Sequence, residues 1–241
     1  MRRTLRIIAI VCLVPPLHLH AQTHAPTVTA HIQMAASSPH DRHTPAGVVL
    51  WLTPLQPQNL RPSATRASPP HPPLRLLQKN KQFTPHLLVV PIGSSVEFPN
   101  LDPFFHNVFS LFNGKRFDLG LYEAGSSRSV RFDREGVSYL FCNIHPQMGA
   151  IVLSLRTPYY AIAPATGDIS IPDMPPGDYQ LNVWGENVQP SEAGTLLKTI
   201  HVAGTGTNLG NITLQPTPNA LSGHKNKFGE DYMPEHNTPY K

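Results

Sequence analysis

Three stretches of this chain divide their side chains between two faces with a period of two, and that period restricts its fold more than any other feature. In SVRFD (129–133), Val130 and Phe132 are apolar while Arg131 and Asp133 are polar. GVSYLFC (136–142) sets Val137, Tyr139 and Phe141 against Ser138, Leu140 and Cys142. YQLNVW (179–184) sets Tyr179, Leu181 and Val183 against Gln180, Asn182 and Trp184. Successive side chains of a strand point to opposite faces, so these runs predict half-buried strands. Long helical periodicity is absent, and 27 prolines favour short strands and many turns. The fold class expected is all-β, built as sandwiches. Hydrophobic residues make up 40% and charged residues 14%, enough for a packed core under a weakly charged surface. The net charge of +4 comes from scattered basic residues, which predicts no nucleic-acid partner.

The first 21 residues have the composition of a secretory signal peptide. MRRTLR is basic, IIAIVCLVPPL is apolar but short for a membrane span, and Ala21 sits at a plausible cleavage point. The expectation is a periplasmic or secreted protein with no stable membrane insertion after cleavage. Residues 22–156 read as one β domain, with a Pro-, Ser- and Arg-rich insertion, TPLQPQNLRPSATRASPPHPP, at 53–73. Thr157–Pro158 marks a boundary. Beyond it, turns at Thr166–Gly167 and Pro175–Pro176–Gly177 separate short strands, giving a second, smaller β domain over 157–215. Residues 216–241 read as a flexible polar tail, with His224, Met233 and His236 solvated.

Signal cleavage would remove Cys12 and leave Cys142 as the mature chain's lone cysteine. An exported cysteine without an internal partner is buried and inert, paired to another chain, catalytic or metal-bound. Its neighbourhood, FCNIHPQMGA, favours metal, because Cys142, His145 and Met148 fall within seven positions. Thiolate, thioether and imidazole together select copper, and two histidines, a cysteine and a weak axial methionine form the blue-copper electron-transfer set. His106 is the best source of the fourth ligand, because it follows the PNLDPFF loop and opens the strand HNVFSLF. His86 is a weaker candidate. Asn100 is expected to tie the His106 loop to the Cys142 loop through backbone hydrogen bonds.

FPNLDPFFHNVFS followed by YLFCNIHPQM resembles the cupredoxins, the plastocyanin and amicyanin group. The resemblance covers roughly residues 75–155, with an N-terminal strand from within 26–52. It implies a Greek-key β-sandwich holding one type 1 copper ion, with His106 as first ligand and Cys142, His145 and Met148 on a short amicyanin-type loop. The chain also resembles proteins labelled methylamine-utilisation-like, in which a cupredoxin domain precedes a small β domain. GDISIPDMPPGDYQLNVW resembles carboxypeptidase-regulatory-like or transthyretin-like β-sandwiches, which implies a structural or docking role rather than catalysis. The insertion at 53–73 and the exposed Phe104 and Phe105 depart from a minimal cupredoxin.

The function expected is therefore a periplasmic carrier of single electrons, not an enzyme, serving a redox protein partner that the sequence does not name. No Ser/His/Asp arrangement, nucleotide-binding glycine loop or CxxC is present, and Asp102, Glu123 and Asp133 make no acid/base pair. Two alternatives use the same sequence. One is a copper-binding or copper-delivery protein without a redox partner. The other is a metal-free extracellular β-sandwich binding protein.

Overall fold

A computed structural model describes residues 26–36, 43–56, 73–111, 114–189, 198–217 and 223–232. Every regular element among them is a strand. The chain opens with β1 (Val28–Met34) and β2 (Val49–Pro54). Ten strands follow: β3 (Leu74–Arg75), β4 (Leu77–Lys79), β5 (Gln82–Thr84), β6 (Leu87–Pro91), β7 (Ser94–Pro99), β8 (His106–Ser110), β9 (Phe117–Tyr122), β10 (Ser127–Phe132), β11 (Gly136–Phe141) and β12 (Gly149–Leu155). It closes with β13 (Tyr160–Ile162), β14 (Asp168–Ile171), β15 (Gly177–Trp184), β16 (Lys198–Val202) and β17 (Thr207–Leu214). Among the described residues no helix is long and apolar enough to cross a membrane. The leader expected at 1–21 lies outside them, as does most of the Pro-rich stretch.

Two sandwiches result. Sheets ordered β10-β7-β3 and β6-β12-β11-β8-β9, with the β4-β5 hairpin, make one from residues 74–155. Sheets ordered β14-β1-β17 and β13-β2-β15-β16 make the other. This second pairing corrects the expected domain boundaries. The strands expected to serve residues 22–156 pair elsewhere: β1 runs parallel to β17 and antiparallel to β14, and β2 lies between β13 and β15. The first sandwich is thus inserted between β2 and β13 of a split second one. A period-two run declares which face is buried but not which strand it pairs with. Here Val28, Ile32, Leu50 and Leu52 share one apolar core with Ile171, Leu181, Val183 and Leu214. At the junction the Thr157 hydroxyl donates to the Leu52 carbonyl at 2.7 Å, tying the exit of the insert to its entry strand.

The two sandwiches stack. Val49 with Trp51, Tyr160 and Trp184 packs against Val89, Leu153, Leu155, Leu87 and Val137. Phe109, Phe141 and Ile151 extend this apolar layer with Tyr139. That contact alters the expectation for β11. Ser138, Leu140 and Cys142 point into the inserted core, while Val137, Tyr139 and Phe141 face the split sandwich. The strand is covered on both faces rather than half-buried. The Thr166–Gly167 turn reaches β1: Gly167 has φ 84°, and a Cβ there would collide with the Ile32 carbonyl.

Candidate metal centre

Two loops at one end of the inserted sandwich build the centre. The first, between β7 and β8, begins at the buried Asn100. Its side-chain amide donates to the Phe104 carbonyl at 2.8 Å, and its Oδ1 accepts from the Asp102 amide at 3.1 Å. Asn100 therefore braces its own loop; its amide also donates to the Tyr122 carbonyl at 3.4 Å. The expected tie from Asn100 to the Cys142 loop is not what the structure uses. That tie comes from Asn107, whose backbone N–H hydrogen-bonds the Cys142 sulfur. The reason is register: β8 and β11 are adjacent antiparallel strands, with Phe109 opposite Phe141.

The second loop leaves β11 at Cys142 and returns at Gly149. It is closed by the Met148 amide donating to the His145 carbonyl at 3.1 Å and by the Cys142 amide donating to the Met148 carbonyl at 3.2 Å. Ile144 and His145 add backbone N–H bonds to the Cys142 sulfur. A turn this tight aims Cys142 and His145 at one point.

His106, Cys142 and His145 meet there, with one ligand atom from each lying within 4.8 Å of the others. Cys142 Sγ is 3.8 Å from His106 Nδ1 and 3.5 Å from His145 Nδ1. The two imidazole centroids are 4.9 Å apart. All three side chains are buried, His145 at 6% exposure. A metal about 2.0–2.1 Å from an imidazole nitrogen and about 2.3 Å from a thiolate, at angles of roughly 110–120°, separates N from S by about 3.6–3.8 Å. The observed spacings match that geometry, so these donors fit a metal ion. Met148 is fully buried in the same core as Cys142 and Leu140. His86 lies away from the centre, bonded to the Gly149 carbonyl and to Glu186.

The electrostatics point the same way. Burial holds the His106 pKa below its ordinary value, against the pull of Asp102, so the ring stays neutral. Its Nε2 hydrogen-bonds Asp102 Oδ2 at 2.8 Å, which leaves Nδ1 turned toward the sulfur. Burial works against the charge of Asp102. Hydrogen bonds from the Lys81 amide, His106 and the Asn80 amide nevertheless hold its pKa below the usual carboxylate range. Burial also raises the Cys142 thiol, while its three backbone N–H bonds oppose that. Phe104 roofs both histidines, with its ring centroid 5.2 Å from His106 and 5.6 Å from His145. Beside it Leu101, Phe105 and Leu121 are exposed.

Asp102, which makes no acid/base pair in the sequence, is thus the partner of His106. Its signal was its place four residues before His106, where a short loop brings a carboxylate to the far ring nitrogen. His224, expected to be solvated, instead stacks on Phe141 with centroids 4.0 Å apart. Met233 and His236 lie outside the described residues.

No protein-family model and no curated protein matches this chain. Among solved structures it is similar to the Cu-containing nitrite reductase of Thermus scotoductus SA-01, at 26% identity and TM-score 0.34 over 43% of this chain. It spans only 27% of that reductase. The novel purple cupredoxin of Nitrosopumilus maritimus aligns at 24% identity and TM-score 0.31, covering 34% of this chain and 99% of that one. A reduced Cu(I) form of an amicyanin mutant aligns at 19% identity and TM-score 0.33, covering 34% and 82%. TM-scores this low do not establish a common fold for the whole chain.

Proposed function

We propose that this chain is a type 1 copper protein that carries single electrons. The observation that carries the reading is the buried thiol of Cys142 facing Nδ1 of both His106 and His145 at metal-ligand spacing. Cys142 would bind as thiolate, the histidines through Nδ1 and Met148 as a weak axial ligand. Copper in such a set supplies a one-electron couple. The chain's own residues do the rest. Asp102 fixes the tautomer and tilt of His106. The backbone N–H groups of Asn107, Ile144 and His145 stabilise negative charge on the sulfur. Phe104 and the surrounding core exclude water. A set held this firmly changes shape little between oxidation states.

Burial separates this reading from copper delivery, since handing over a metal needs a ligand face that a partner can reach. The reading is of a carrier rather than an enzyme. The composition of Met1–Ala21 supports a periplasmic or extracellular place of work. Copper reconstitution tests it. Adding Cu(II) to the metal-free protein should give an intense visible thiolate-to-copper band and a narrow copper hyperfine splitting in the electron-spin-resonance spectrum. A colourless product would remove the proposal in favour of a metal-free sandwich protein.

A further inference from the structure

The segment Gly223–Tyr232 lies across the outer side of the Cys142 loop and holds three consecutive residues of it. His224 stacks on Phe141, with 22° between the rings. The Tyr232 hydroxyl donates to the Cys142 carbonyl at 2.9 Å. The Lys227 amide donates to Asn143 Oδ1 at 3.0 Å. Lys227 then reaches on, and its ammonium pairs with Asp118 of β9 at 2.7 Å. Tyr232 also meets His224 edge-on, at 5.3 Å between centroids.

The segment is a built structure rather than a trailing chain. Asn226 Oδ1 accepts from the Phe228 and Glu230 amides at 2.9 and 3.0 Å, and the Asn226 carbonyl accepts from the Gly229 amide at 3.0 Å. Such a turn presents Lys227 and Tyr232 at a fixed separation. Tyr232 stands 90 positions after the residue whose carbonyl it holds, so the contact is tertiary.

We propose that Gly223–Tyr232 is a strap that completes the metal centre, with Tyr232 as a positioning residue for Cys142. The strap restrains the loop and keeps water from its outer side. Its redox consequence rests on the copper reading above; its cover of Cys142 does not. In a thiolate and bis-imidazole set the oxidised form carries one more positive charge than the reduced form. Exclusion of water disfavours the more charged form, so the strap favours reduction.

The test uses the full chain in a Cys12→Ser background, with Tyr232→Phe, Lys227→Ala and a chain ended at Ser222. That truncation removes Lys225, Lys227 and Lys241 together with Glu230, Asp231 and Glu235, so side-chain charge cancels. The first measurement is the rate at which a disulfide reagent labels Cys142 in the metal-free protein under native conditions. Truncation should accelerate labelling roughly tenfold or more, and the point variants less, without a matching shift in the unfolding midpoint. The second is the midpoint potential after loading with Cu(II). Truncation should move the Cu(II)/Cu(I) equilibrium roughly tenfold toward Cu(II), which is a fall of about 59 mV for one electron. Tyr232→Phe should shift it the same way while keeping the visible band.

Wild-type labelling rates in Tyr232→Phe, Lys227→Ala and the truncated chain would overturn the strap. An unchanged potential in truncated and Tyr232→Phe proteins that keep the band would overturn the positioning role. If the truncated chain does not fold, the two point variants decide. Faster labelling in the variants, alongside a wild type that never forms the band, would sustain the strap as a cover for Cys142 and remove the copper reading instead.

Discussion

The two sandwiches share a material and differ in what they bury. Among the described residues, every buried polar or charged side chain lies between Gln78 and Thr157. The split sandwich is filled by residues such as Val28, Ile32, Leu52, Met174 and Leu181. The inserted one buries His106, His145, Asp102, Asn107, Gln78, Ser110 and Ser154. Some of these groups are incompletely satisfied: Gln78 Oε1, Asn107 Oδ1, Ser110 Oγ and Ser154 Oγ have no hydrogen-bond partner among the described residues. Unsatisfied buried polar atoms cost stability. The split sandwich thus has an apolar interior, and the inserted one keeps a polar interior around the candidate metal centre.

The largest effect that tests this contrast is Cys142→Ser. It should abolish the copper-thiolate band outright while leaving the far-ultraviolet circular dichroism of both sandwiches intact. Next, Leu52→Ala removes a fully buried side chain from the split core and should lower unfolding free energy by about 2–5 kcal/mol in denaturant titrations. Its folded form should bind copper like the wild type, and weakened binding would break the division between the two sandwiches. Asp102→Asn should reverse that pattern. It loosens the clamp on His106 and should weaken copper affinity about 10–100-fold in competition with a chelator.

The smallest effect lies at the seam. His86 bonds Glu186 of the split sandwich at 2.7 Å, and that bond, against the effect of burial, raises the His86 pKa above 6.5. A raised folded-state pKa contributes stability that is complete below the unfolded value of about 6.5 and is lost as pH rises through the folded value. The gap in unfolding midpoint between wild type and Glu186→Gln should therefore narrow from pH 6 to pH 8.5. A gap that widened would show that the contact does not act through the charged imidazole.

The strand content was legible because period-two alternation is local, and 129–133 and 179–184 show it plainly. Partner choice was not legible. Nothing in VTAHIQM tells that it pairs with a strand ending at Leu214, since pairing is decided by which apolar faces fit. The same split runs through the metal centre. Cys142, His145 and Met148 stand together in sequence, and His106 was reachable because it opens a strand after a loop. Asp102 needed the loop geometry. Tyr232 had no signal at all, because a phenol in a polar tail looks alike whether solvated or docked.

The insertion also sets an order on folding for a chain that emerges from its N-terminus, whether from a ribosome or from a translocation pore. All ten strands of the inserted sandwich are available once Leu155 has been made. β1, the middle strand of its sheet, must wait for β14 and then for β17, whose last residue is Leu214. Contacts this distant in sequence close slowly, and domains fold as units. His106, Cys142 and His145 can therefore assemble while the first strand of the protein still lacks its neighbours.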